Sequence, residues 1–278
     1  MKPPSWVIPG SAVLFLAACA LLQSPVEKAH SVAAAGGFVP VELPDPRLRG
    51  FVRPLPAGTR SYPRVTIYFE SDGAQWRVPT EPPADPTPVK PLVLGMAVDD
   101  SSPAVAYVAR PCQYLPAAEL RQCDPQLWMR ARFSGDAIGA LDAAVDRIKK
   151  DYGAREVNLV GLSGGGVVAT LLAERRSDVS CLVTVASALD TTAWTTALDV
   201  SPLNLSLNPL DNAARLSKLR QTHFQGLRDT VVPPATTARF LAQVPNAQVI
   251  DKEKFDHRCC WAEEWKQLRQ ASCLAQQP

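Results

Sequence analysis

Residues 157–176 read VNLVGLSGGGVVATLLAERR, two apolar runs joined by one serine and four glycines. The first run, Val157 to Val160, has the composition and length of a short buried strand. The second run, Val167 to Arg176, is typical of a helix. Glycines between the two runs indicate a turn in which side chains would obstruct the neighbouring backbone. The stretch therefore predicts a sharp strand-to-helix turn with Ser163 at its apex.

The five residues Gly161 to Gly165 match the pattern G-x-S-x-G, in which a strained turn exposes the serine hydroxyl. The N-terminus of the following helix favours negative charge at such a site. The bare pattern occurs by chance in about one chain in ten of this length. The evidence for a functional turn therefore comes from the predicted strand and helix that flank it. The alternative interpretation is a glycine-rich turn in which Ser163 has no role.

Strand and helix signals alternate from Arg64 onward. The predicted strands are Val65–Phe69, Ala104–Ala109, Val157–Val160, Val179–Val185, Phe224–Leu227 and Ala247–Ile250. The predicted helices are Pro91–Val98, Asp136–Lys150, Val167–Arg176, Ala235–Gln243 and Ala262–Leu274. In the second of these, Ser134 can cap the start, and a stripe of apolar residues falls on one face at helical spacing: Ile138, Leu141, Val145 and Ile148. This alternation predicts an α/β fold with a mostly parallel sheet covered by helices on both faces.

The chain has three histidines that can serve a serine nucleophile as base. His30 lies near the N-terminus, and His223 opens an apparent strand, where a ring is usually a packed core group. His257 follows the last predicted strand, in a loop that can reach the carboxyl edge of the sheet. We therefore predict His257 as the catalytic base, the alternative being a solvated loop histidine.

Asp229 is the predicted acid, because it directly follows the strand that ends at Leu227 and so falls between serine and histidine in the chain. Its alternative role is that of a turn aspartate or a helix cap. Asp190 and Asp199 remain candidates, since both lie in loops after an earlier strand.

The segments GLSGG, GLRDTVVP and FDHRCCW together resemble the α/β-hydrolase family over Arg64 to Leu274. The resemblance implies an α/β-hydrolase fold and a serine esterase or related acyl hydrolase that needs no metal or organic cofactor. The family usually carries His-Gly after its third strand, where this chain has Asp72-Gly73. The resemblance implies an oxyanion hole formed by the backbone N–H groups of Ala74 and Gly164.

The segments ESDGAQW, DPTP, YVARPCQY and SLNPLD resemble a group of bacterial envelope lipoproteins with this fold. Two other functions remain open: a catalytically silent lipoprotein that uses the scaffold for binding, and an acyltransferase. The resemblance implies an ester-like small molecule as substrate, and the sequence does not specify its acyl length. Apolar residues between Ser187 and Arg215, including Trp194, either line a pocket or pack in the core.

The N-terminus is predicted to be a targeting segment. The apolar stretch from Ala12 to Leu22 is shorter than the ~20 residues that a bilayer requires and suits a signal peptide. Its Leu16-Ala17-Ala18-Cys19 resembles the lipobox of bacterial lipoproteins. We therefore predict a signal peptide over 1–18, lipidation of Cys19, a flexible tether over 19–45 and a hydrolase domain over 46–278. The resemblance places the protein on the outer membrane, facing the periplasm.

Net charge is +2 without a long basic run, which argues against nucleic acid as a partner. The oligomeric state is not predicted.

Export allows the six cysteines beyond Cys19 to pair. Cys112 and Cys123 are the best disulfide candidates, whereas Cys181, in an apolar run, is expected to be a buried thiol. Pairing among Cys259, Cys260 and Cys273 stays open. A metal site is not predicted, because the chain has neither a CxxC pair nor neighbouring histidines.

Overall fold

A computed structural model describes residues 23–74 and 82–275. These residues form one eight-stranded sheet with the strand order β1-β2-β4-β3-β5-β6-β7-β8. The strands are β1 (Val39–Val41), β2 (Gly50–Val52), β3 (Arg64–Phe69), β4 (Val105–Val108), β5 (Glu156–Leu162), β6 (Val179–Val185), β7 (Gln221–Gly226) and β8 (Gln248–Lys252). The pairings β1·β2 and β2·β4 are antiparallel, and β3 through β8 run parallel.

Helices connect the parallel strands. The α-helices are α1 (Pro25–Ala35), α2 (Leu92–Asp99), α3 (Ala117–Leu120), α4 (Gly135–Asp151), α5 (Gly164–Ala173), α6 (Thr191–Ala197), α7 (Ala238–Gln243) and α8 (Trp265–Ala271). Short 3-10 turns lie at Pro125–Trp128, Pro209–Leu216 and Pro234–Thr237.

Apolar side chains cover both faces of the sheet. On one face, the predicted stripe of α4 is fully buried in the core, and the start of α4 is capped by the Ser134 side chain. On the other face, α1, α2 and α8 contribute Ala29, Leu94 and Trp265 to a second core. The predicted α/β architecture is therefore confirmed.

The N-terminal residues from Pro25 to Val41 are not a flexible tether, and that prediction is wrong for them. Helix α1 begins with a reciprocal cap in which the Glu27 N–H donates to Ser24 Oγ and the Ser24 N–H donates to Glu27 Oε2. The small residues of this segment, which suggested a linker, permit close packing. A Cβ on Gly36 would lie 2.4 Å from a Val98 methyl of α2. Strand β1 then extends the sheet by pairing with β2.

Cysteine pairing is more extensive than the sequence predicted. Cys112 and Cys123 form a disulfide at the predicted positions. Cys181 is not a free thiol: it is bonded to Cys273, 92 residues later in the chain. Cys259 is bonded to its neighbour Cys260. The partner of Cys181 could not be read from the sequence because only the folded sheet brings β6 beside the segment after α8.

The predicted signal peptide and Cys19 lie outside the described residues and stay predictions. No helix within residues 23–74 and 82–275 has the length and apolar character to span a bilayer.

Candidate active site

Ser163 occupies the turn between β5 and α5 in a backbone conformation that only a constrained turn imposes. Its φ is 54° and its ψ is −123°, outside the regions favoured by residues with a side chain. Its N–H donates to the Val185 carbonyl at 2.8 Å. A Cβ on Gly161 would lie 2.1 Å from the Gly165 carbonyl group, and one on Gly165 would lie 2.1 Å from the Phe69 oxygen. The glycines are therefore required for the turn, as the sequence predicted.

Two loops bring a histidine and a carboxylate to this turn. His257 Nε2 lies 3.1 Å from Ser163 Oγ, and His257 Nδ1 lies 2.8 Å from Asp229 Oδ2. Asp229 follows β7 and His257 follows β8, so both side chains stand at the carboxyl edge of the sheet. The structure thus brings all three predicted residues into one hydrogen-bonded chain.

The Asp229 carboxylate is fixed by its own turn. Its Oδ1 accepts hydrogen bonds from the N–H groups of Val231 and Val232, both at 2.8 Å, which leaves Oδ2 for the histidine. The Asp229 side chain is fully buried, whereas 15% of the His257 side chain is exposed. Asp229 therefore orients the ring, while the edge of the ring remains accessible.

The loop that carries His257 is held at both ends. The Arg228 N–H donates to the Phe255 carbonyl, and Trp261 Nε1 donates to the Asp256 carbonyl. A Cβ on Gly226 would lie 2.6 Å from the Phe255 oxygen, so the end of β7 and this loop are in close contact. This packing sets the distance between the histidine and Asp229.

The alternative histidines and aspartates lie elsewhere. His223 is buried between Thr184 and Gln221, and burial lowers its pKa to about 3, which keeps it neutral. Asp190 caps α6 by accepting from the Ala193 N–H, and Asp199 is exposed. His30 packs edge-on against Phe51.

The predicted oxyanion hole is only half formed. Within the described residues the Gly164 N–H, at the start of α5, has no hydrogen-bond acceptor. The N–H of Ala74 donates to the Pro86 carbonyl at 3.0 Å, so it is not available, and its assignment is wrong. In the same turn, the N–H groups of Asp72 and Gly73 have no acceptor among the described residues. This hydrogen bond from Ala74 to the loop over residues 82–91 could not be predicted from the local motif.

Asp72 contacts the residue after the nucleophile. A Cβ on Gly164 would lie 2.2 Å from Asp72 Oδ1. The carboxylate pairs with Arg110 Nη1 at 3.0 Å and with Arg132 Nη1 at 3.4 Å. Burial raises the pKa of Asp72, but the charges of Arg132 and Arg110 outweigh it and lower that pKa. Sequence reasoning missed both arginines; the only signal was Arg110, directly after a predicted strand.

Glu70 stabilises the turn that carries Asp72. It is buried, and its carboxylate accepts from the Ser71 N–H at 2.8 Å and from the Tyr107 hydroxyl at 2.8 Å. Burial is the main cause that raises the pKa of Glu70, and these hydrogen bonds oppose it. Glu70 therefore ties the end of β3 to β4.

In the described part of the chain, no group of three or more His, Cys, Asp or Glu side chains is arranged to hold a metal ion.

Comparison with known proteins gives the fold. No protein-family model matches the chain, and no curated protein matches it. Among solved structures, an esterase from Pyrococcus furiosus has a TM-score of 0.60 at 15% identity, and the match covers 85% of this chain and 91% of that one. The chain has the α/β-hydrolase fold.

Two peptidases with the α/β-hydrolase fold are also similar. An acylaminoacyl peptidase from Pyrococcus horikoshii has a TM-score of 0.58 at 11% identity, covering 96% of this chain and 42% of that one. A puromycin-hydrolyzing peptidase from Mycobacterium tuberculosis has a TM-score of 0.57 at 16% identity, covering 84% of this chain. The present chain spans only 38% of that peptidase's length.

Proposed function

We propose that this protein is a serine hydrolase that cleaves carboxylic esters or related acyl compounds through an acyl-enzyme. One observation carries the proposal: the continuous hydrogen-bonded chain from Ser163 through His257 to Asp229, at the carboxyl edge of the sheet. The hydrolase names of the structural neighbours support the same reaction class.

Acylation follows from the roles that these atoms can take. Ionised Asp229 only accepts hydrogen bonds, so His257 carries its proton on Nδ1 and presents an unprotonated Nε2 to the serine. As Ser163 Oγ attacks the acyl carbon, Nε2 takes the serine proton, and Asp229 stabilises the resulting imidazolium. The imidazolium then returns that proton to the leaving alkoxide.

The tetrahedral oxyanion is stabilised by backbone donors. The Gly164 N–H, at the N-terminus of α5, is the first donor, and an N–H of the Asp72–Gly73 turn replaces the occupied Ala74 N–H as the second. One such donor typically lowers the barrier by about 3 kcal/mol. Water, activated by His257 in the same manner, then releases the acyl group. An acyltransferase would use the same acyl-enzyme with another acceptor.

Replacement of the nucleophile tests the proposal. Ser163→Ala should abolish hydrolysis of p-nitrophenyl acetate while leaving the fold intact. Ser180→Ala is the control. Ser180 lies near the start of β6, at the opposite edge of the sheet, where its hydroxyl donates a hydrogen bond to Glu156. Hydrolysis by Ser163→Ala at the parent rate would refute the assignment.

A silent binding protein is the second candidate, favoured by the Asp72 carboxylate that lies against Gly164. A fluorophosphonate probe distinguishes the two functions, since only an activated serine attacks its phosphorus and displaces fluoride to form a phosphonylated serine. Labelling of Ser163, located by peptide mapping, supports the enzyme. An unlabelled parent protein supports the silent one.

Exposed apolar side chains near the site suggest an apolar acyl group. Leu227 and Val231 flank Asp229 in sequence, and Trp194 Nε1 donates to the Val231 carbonyl. Beyond α6, Leu205 and Leu207 are also exposed, but Leu207 lies beside Leu171 and Glu174 at the far end of α5. These two leucines are therefore not core residues.

A chain-length series of p-nitrophenyl esters tests the preference. Activity on medium-length acyl chains should exceed activity on acetate, and Leu227→Ser, at the exposed residue directly after β7, should reduce that ratio. Val39→Ser, a similarly exposed position on β1, should leave it unchanged. Equal ratios in all three proteins would disprove the apolar preference.

A further inference from the structure

A carboxylate lies beside the nucleophile, where it opposes the proposed reaction. Asp72 Oδ1 would be 2.2 Å from a Cβ on Gly164, and the Gly164 N–H is the oxyanion donor proposed above. Negative charge develops at this place in the transition state, and an uncompensated anion there would raise the barrier. The site must therefore neutralise Asp72 for the proposed chemistry to proceed.

Two guanidinium groups contact this carboxylate, and both are held in place. The Arg110 side chain is 4% exposed and the Arg132 side chain 14% exposed. The Arg110 guanidinium stacks 4.7 Å from the Phe133 ring centre and donates to the Arg132 carbonyl. Arg132 Nε donates to the Met129 carbonyl at 2.7 Å. A ring and a backbone carbonyl therefore hold Arg110 in place, and a backbone carbonyl holds Arg132.

Two cations share one carboxylate in this cluster. Among the described residues, Asp72 is the only carboxylate within ion-pair distance of either Arg110 or Arg132. Arg110 Nε is buried without a hydrogen-bond partner in that part of the chain. Both guanidinium groups therefore face one carboxylate, Asp72, next to Gly164.

The turn itself depends on glycine. Gly73 has a φ of +86°, and a Cβ there would lie 1.8 Å from the Pro86 oxygen. Gln113 Nε2 donates to the Ser71 carbonyl at 3.0 Å from the other side. The turn therefore fixes the backbone of Asp72 beside Gly164, and the two arginines donate hydrogen bonds to its carboxylate.

We propose that Arg110 and Arg132 are positioning residues that neutralise Asp72 beside the oxyanion. This inference rests on the proposed serine-hydrolase function. It assigns the arginines an electrostatic role in turnover that exceeds any contribution to folding.

A double-mutant cycle tests the role, with kcat for p-nitrophenyl acetate as the readout. Arg110→Gln in the parent background removes the closer of the two cations, leaves Asp72 only Arg132 at 3.4 Å, and should lower kcat about 10-fold. In the Asp72→Asn background, the same replacement removes no partner of an anion and should lower kcat less than about 2-fold. A merely structural arginine would give equal factors in both backgrounds, and that result would overturn the proposal.

Two controls separate the electrostatic effect from unfolding. Arg176→Gln removes a comparably buried arginine, which pairs with Asp142 and Asp178 away from the site, and should lower the Tm with little change in kcat. If Arg110→Gln does not fold, Arg132→Gln enters the same cycle with the same criterion. An inactive, unlabelled parent protein would refute the proposed function, whereas an active parent with equal factors would refute this inference alone.

Discussion

His257 follows Ser163 by 94 residues in the chain, yet its Nε2 lies 3.1 Å from the serine oxygen. Strands β5 and β8 are separated by β6 and β7 in the sheet. Parallel strands end at one edge, so the loops after β5, β7 and β8 converge there. The contact is therefore a product of the sheet topology.

Replacement of Asp229 by asparagine should lower kcat about 10⁴-fold, because an amide can stabilise the wrong tautomer of the histidine. The fold should persist, since the amide oxygen can still accept from the Val231 and Val232 N–H groups. Asp199→Asn is the matched control at an exposed position in a left-handed conformation that asparagine tolerates. Equal losses in the two variants, measured with p-nitrophenyl acetate, would contradict the assignment of Asp229.

Gly164→Ala should inactivate the protein. The new Cβ would lie 2.2 Å from Asp72 Oδ1 and displace either that carboxylate or the Gly164 N–H. We expect kcat to fall on the order of 100-fold, the effect of losing one oxyanion donor. Gly139→Ala in α4 is the control, since its Cβ would meet no atom within 4 Å. That control should be active and about 0.5–1 kcal/mol more stable. An active Gly164→Ala would show that Asp72 does not constrain this position.

Glu174, at the end of α5, should make stability fall as pH rises. It is 8% exposed, and burial, together with the charge of Asp211, raises its pKa to about 8. Between the ordinary pKa near 4.5 and this value, the folded state holds a proton that the unfolded chain has released. Its contribution is thus complete below pH 4.5 and is lost as pH rises through 8.

Urea unfolding between pH 5 and 8 measures this effect. The slope attributable to Glu174 is at most about 1.4 kcal/mol per pH unit. Glu174→Gln should flatten the pH dependence, whereas Glu263→Gln, at an exposed position, should not. An unchanged slope in Glu174→Gln would exclude a raised pKa.

The Cys181–Cys273 disulfide should stabilise the protein more than Cys112–Cys123. It closes a separation of 92 residues against 11. The chain-entropy relation gives about 5 kcal/mol for the longer loop and about 3 kcal/mol for the shorter one. Paired cysteine-to-alanine variants, compared by urea unfolding without reductant, should show this order. Thiol titration that found Cys181 free in the unfolded parent would remove the basis of the prediction.

The sequence predicted those helices that depend only on residues close together in the chain. The helix over α4 followed from apolar residues at helical spacing, and its Ser134 cap was visible in the sequence. Helix α1 was missed although Ser24 and Glu27 had capping-box spacing, because its small residues resembled a linker. Those residues are buried by α2, which only the folded chain brings near.

Neighbouring residues alone specify the strained turn at Ser163, because glycine spacing, a buried strand and an apolar helix are properties of adjacent residues. Chain order and the small number of histidines were enough to predict Asp229 and His257. Folding was needed to show that the Ala74 N–H is hydrogen-bonded to Pro86, that Asp72 pairs with two arginines and that Cys181 is bonded to Cys273. Each of these contacts joins segments that are distant in the chain. Strand order and loop packing bring those segments together, and no local sequence pattern encodes either.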